Sequence, residues 1–90
     1  MDLEKIKKSA CYLEVVLNKC ASNDRDAASL LRVLNPLINQ AKSGSISEPL
    51  EWRDIPGAYF FMEGNLRKYR DLEDAFADFR IEITGGDNLF

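Results

Sequence analysis

Asp71, Asp74, Asp78 and Glu82 are the one set of side chains in this 90-residue chain whose type and spacing could do chemistry. On a helix, at 100° per residue, they fall within about 80° of one another. Oxygen ligands on consecutive turns could hold Mg²⁺, but such a site draws further ligands from other segments or from substrate phosphates, and nothing marks those. No metal and no cofactor is expected. The chain has no histidine, so it lacks the usual general base near neutral pH and the commonest metal ligand. A Cys–His nucleophile and a Cys/His zinc site are excluded with it. Gly85-Gly86 follows an acidic segment and lacks the lysine of a phosphate-binding loop. Catalysis is not expected. The carboxylates read instead as a surface.

That surface is concentrated. Residues 71–90 hold six acidic side chains and one basic one, whereas the other seventy hold nine acidic and eleven basic, so the whole-chain charge of −3 conceals a charged pole. Asp71, Glu73 and Asp74 in a first helical turn would be stabilised by the helix dipole, each by about 0.3–1 kcal/mol. Asp78 and Glu82 lie beyond the dipole's reach. Their mutual repulsion makes a neutralising partner the natural expectation. Leu72, Phe76, Phe79 and Ile83 fall on an adjacent face and would anchor the same helix to a core.

The elements that must position this ridge are helical. Asp2 can cap a first helix to about Ala21, whose seam is Leu3, Ile6, Ala10, Leu13, Leu17 and Cys20, widened by Val16. Ser22-Asn23-Asp24 supplies a break and a second cap. Ala27, Leu31, Leu34, Ile38 and Ala41 then share one side of a second helix, and so short a connection makes an antiparallel αα-hairpin. Pro36 should kink that helix or restart it, with Asn35 as cap. Lys42 and Gly44 suit its end.

Residues 43–57 form an irregular loop with three serines, two glycines and two prolines, pinned to the core by Ile46, Leu50, Trp52 and Ile55. Residues 58–62 are too short for periodicity to decide. Asp54 as cap, Pro56 in the first turn and Gly64 as terminator favour a short buried helix, and a β-hairpin within 58–70 is the alternative. A last helix starts at Asn65 or near Asp71, Gly85-Gly86 ends it, and residues 87–90 are expected to fray. The fold class is all-α: one domain over residues 1–90, a small bundle of three to four helices.

Apolar residues at 46% and charged residues at 30% describe a folded globular chain. A pI near 4.9 argues against direct nucleic-acid binding, and Lys5, Lys7 and Lys8 read as the solvated face of the first helix. No apolar run approaches the roughly 18 residues of a membrane span, and the N-terminus is charged at once, so a cytoplasmic location is expected. Cys11 and Cys20, nine residues apart on one helix, lie about 13 Å apart. That excludes a mutual disulfide, and buried, reduced thiols are expected.

The stretch Ile55-Pro56-Gly57-Ala58-Tyr59-Phe60-Phe61-Met62-Glu63-Gly64-Asn65-Leu66, then Tyr69-Arg70-Asp71-Leu72-Glu73-Asp74-Ala75-Phe76 and the closing Gly85-Gly86, resembles the immunity proteins of bacterial toxin systems. Those of contact-dependent growth inhibition are the nearest case. The resemblance implies a one-to-one complex with a cognate toxin domain, often a basic nuclease, whose active site is covered by acidic residues. The contacts follow from charge and side-chain type alone: Asp71, Asp74, Asp78 and Glu82 as the electrostatic complement, Trp52 and Tyr59 as apolar anchors, Tyr69 as a further anchor candidate, and Asp54 beside Trp52. The alternative is a small helical adaptor or homo-oligomeric structural subunit without catalytic activity.

Overall fold

The structure is a computed structural model and describes residues 2–51, 54–62 and 66–85. Four α-helices are present among them: α1 (Leu3–Ala21), α2 (Arg25–Lys42), α3 (Tyr59–Met62) and α4 (Arg70–Ile83), with one turn of 3₁₀ helix at Leu66–Lys68 just ahead of α4. None of the described residues is in a strand, so the β-hairpin alternative within 58–70 is not adopted. Among the described residues no helix is long and apolar enough to cross a membrane.

The first two helices begin where their caps predict. The Asp2 carboxylate accepts from the Glu4 and Lys5 amides at 3.0 and 3.3 Å, and Asp24 does the same for Asp26 and Ala27 at 2.8 and 3.3 Å. Each cap satisfies donors that a helix start leaves without partners. The end of α2 is a Schellman closure. Gly44 sits at φ +73°, Ser45 N–H donates to the Gln40 carbonyl at 2.9 Å, and Gly44 N–H donates to Ala41 at 3.3 Å. Pro36 does not restart the helix, because α2 runs through it unbroken. Both Pro36 and Arg32, whose carbonyl loses its amide partner there, are exposed. The forfeited hydrogen bond therefore faces solvent rather than the core.

Helix α1 is the element against which both α2 and α4 pack. Its buried seam is Ile6, Ala10, Leu13, Val16 and Leu17; Leu3, expected on that seam, is exposed. On α2 the buried set is Ala27, Leu30, Leu34, Ile38 and Ala41. Leu31, expected on that face, is only partly buried, and Leu30 takes the central place. On α4 the core side chains are Leu72, Ala75, Phe76, Phe79 and Ile83, the stripe that the helical spacing requires.

The described part of the irregular segment packs on the core. Ile46 and Ile55 are buried, Leu50 packs against the core, and Leu50 N–H donates to the Ile83 carbonyl at 2.9 Å. Gly57 adopts φ +102° and passes so close to α2 that a Cβ there would lie 2.4 Å from Leu30 Cδ1 and 3.8 Å from Phe76 Cζ. Only glycine meets both demands. One turn on, the Phe61 ring stacks on Phe76 with centroids 5.0 Å apart. The short helix starts at Tyr59, not at Pro56, so exposed Asp54 is not its cap; Asp54 N–H instead donates to the Glu51 carbonyl at 2.9 Å. Gly64 and residues 86–90 lie outside the described residues.

Candidate functional site

The acidic ridge stands on α4, a helix held by the packing just described. Asp71, Asp74 and Asp78 are exposed and Glu82 is half-buried. The helix starts at Arg70, which puts Asp71 and Glu73 in its first turn and Asp74 just beyond it. The dipole thus favours two of the three acids expected to gain from it. Tyr69 occupies the cap position without a side-chain cap bond. Its hydroxyl donates instead to Asp24 Oδ2 at 3.0 Å, and Lys68 Nζ lies 3.4 Å from the same oxygen. This ties the approach to α4 onto the start of α2.

Asp24 therefore has two duties, as a helix cap and as the acceptor of a bridge over 45 residues. Burial pushes its carboxyl upward, but the Tyr69 hydroxyl, the Ala27 and Asp26 amides and Lys68 outweigh this and leave it below the usual range. The Tyr69 phenol moves up, because ionising it would cost its hydrogen bond to Asp24. A second polar tie, Lys42 Nζ to Glu14 Oε1 at 2.7 Å, links α2 to α1. The one base of residues 71–90, Arg80, lies over the Phe76 ring, 5.3 Å from its centroid, on the side of α4 away from the ridge.

The ridge faces α1. Asp78 and Glu82 line a surface groove of about 420 Å³ with Lys5, Lys8, Ser9 and Tyr12. Asp71 lines a second groove of about 550 Å³ with Tyr12, Val15, Val16, Lys19, Cys20, Asn23 and the 68–70 segment. The start of α4 is thus beside the end of α1 and its end beside the start, so the two helices run antiparallel. Tyr12 belongs to both grooves. Together they form one furrow, with α1 as one wall and α4 as the other.

Sequence reasoning missed the α1 wall. Lys5, Lys8, Tyr12, Val15 and Lys19 recur at intervals of three and four residues, a second stripe within about 80° beside the core seam. That spacing was the available signal. Tyr12 is 53% and Val15 64% exposed, apolar side chains flanked by lysines. Asp78 and Glu82 are therefore not an isolated negative pole, for Lys5 and Lys8 lie across the same groove from them. None of the four forms an ion pair within 4 Å among the described residues.

The remaining expected contacts do not join this furrow. Asp54 lines neither groove. Trp52 lies outside the described residues, and so does the side chain of Tyr59, whose backbone opens α3. Tyr69 does line the larger groove, half-buried, with its hydroxyl committed to Asp24. Among the described residues no group of three or more Cys, Asp or Glu side chains is placed to hold a metal ion. Both cysteines are free thiols; Cys20 is half-buried, but Cys11 is exposed, contrary to expectation, because it falls on the outer side of α1.

No family model, curated protein or solved structure matches this chain.

Proposed function

We propose that the protein is an inhibitory binding protein of the immunity type, which neutralises a cognate bacterial toxin domain in the cytoplasm through a one-to-one complex. A basic nuclease is the partner class that its carboxylates suit. The observation that carries this reading is the row Asp71, Asp74 and Asp78, exposed on a helix whose adjacent face is locked into the core. A preorganised acidic row speeds encounter with a basic surface and selects for it, while buried apolar side chains hold the complex. Trp52 and Tyr59 remain the proposed anchors, and the chain's lack of histidine favours binding over chemistry.

The test is co-expression with the adjacent open reading frame. Rescue of growth from a toxic neighbour supports the reading, together with loss of rescue in an Asp71→Lys, Asp74→Lys, Asp78→Lys variant that still folds. A neighbour that is not toxic, or toxicity that this protein does not relieve, defeats it.

A further inference from the structure

At the end lined by Lys5 and Lys8 the furrow has walls of opposite sign in register. Lys5 and Lys8 of α1 stand across from Glu82 and Asp78 of α4, whereas at the other end Lys19 shares its groove with Lys68 and Arg70 as well as Asp71. Between the ends sit Tyr12 and Val15, two of the most exposed large apolar side chains among the described residues. A uniformly basic partner laid into this furrow would meet the lysine wall with like charge. The occupant that satisfies both walls carries one acidic and one basic edge, spaced as these are.

We infer that this occupant is a second copy of the chain, joined through the α1/α4 face by a two-fold axis parallel to the two helices. Such an axis lays α1 of each copy over α4 of the other without a shift along the helix. Lys5 and Lys8 then lie over Glu82 and Asp78 of the second copy, and Tyr12 and Val15 of each copy lie over the middle of the other's α4, beside the axis. This is the self-complementary pattern that an isologous contact requires. The helices are about 28 and 21 Å long at 1.5 Å per residue, enough for a standard interface of about 800 Å² per partner, against a total surface of 5770 Å². The inference does not rest on the toxin-binding reading. The two compete for Asp71 and Asp78, so a toxin that engages the ridge opens the dimer.

The experiment uses the isolated protein, which keeps its outcome separate from any toxin. Sedimentation equilibrium should show a monomer–dimer equilibrium that weakens with added salt. Lys8→Glu and Asp78→Lys each place like charges at two symmetry-related contacts and should weaken association by about tenfold or more. An equimolar mixture of the two variants should recover it, because in the mixed dimer every contact is again a pair of opposite charges. Val15→Asp, at an exposed position where folding is retained, should abolish association, with an unchanged melting curve as the control. A chain that stays monomeric at about 1 mM overturns the inference. So does a dimer indifferent to Val15→Asp, or single variants that the mixture does not rescue.

Discussion

The Tyr69 hydroxyl donates to Asp24 Oδ2 at 3.0 Å, so the side chain that caps α2 also holds the residue that opens α4. The acidic ridge is aimed by this bond as well as by its hydrophobic anchor. Asp24→Ala removes the cap and the acceptor together, and the melting temperature should fall by about 4–8 °C or more. Tyr69→Phe keeps the cap and deletes one donor, so its loss should be less than half as large. Equal losses in circular-dichroism melts would show that the cap contributes nothing of its own.

The same carboxyl sets an acid limit on stability. Its pKa is lowered in the folded chain, so its contribution is present above the unfolded value of about 3.9 and is lost as pH falls through the folded value. Tyr69 is raised, mainly through its bond to Asp24; its contribution is complete below about pH 10 and is lost as pH rises through the folded value. Wild type and Asp24→Asn should therefore differ most on the neutral plateau and converge in strong acid. A constant difference from pH 7 down to 2 would refute the linkage.

Gly57→Ala adds a methyl 2.4 Å from Leu30 Cδ1 at a backbone φ of +102°. Overpacking and left-handed strain together should cost about 2–4 kcal/mol. Shortening the obstructing side chain as well, in Gly57→Ala, Leu30→Ala, removes the clash. The two losses should then be less than additive in urea titrations. Strict additivity would mean that Leu30 is not what Gly57 avoids.

Core and ridge should separate cleanly. Phe79→Ala, at a fully buried position on α4, should cost about 3–5 kcal/mol. Asp74→Asn, exposed on the same helix, should stay within about 0.5 kcal/mol of wild type. A large stability loss at Asp74 would identify the ridge as a structural feature instead of a binding one.

The two thiols should react at different rates. Cys11 is exposed, whereas burial, the largest influence, pushes the half-buried Cys20 thiol upward. At pH 8 one equivalent of a thiol reagent should react quickly and the second more slowly, by about tenfold. Cys11→Ser should remove the fast phase alone.

What could be read from the sequence follows from what each feature depends on. Helices α1 and α2 were legible because apolar side chains recur at helical spacing and Asp2, Asp24 and Gly44 mark their ends locally. The core stripe of α4 was legible for the same reason. Its first residue was not, since Tyr69 offers no cap bond and spends its hydroxyl on a residue 45 positions away. Helix α3 spans only four residues, too few for a period, and its place is decided by Gly57 against Leu30. The acidic half of the furrow could be read as a ridge on one helix. That Lys5 and Lys8 stand opposite it is a tertiary fact, and the charge counts of the two segments do not contain it.

The furrow also has a history in the life of each molecule. Helices α1 and α2 are joined by three residues and can associate early, whereas α4 reaches α1 only after some fifty intervening residues are in place. Its last turn is fastened by Leu50 from that very segment. The furrow's second wall therefore depends on contacts distant in sequence, and a chain with α4 undocked has only the α1 wall, with Lys5, Lys8 and Lys19 facing no carboxylate row. Whatever binds across both walls recognises finished molecules and, by mass action, shields them from reopening.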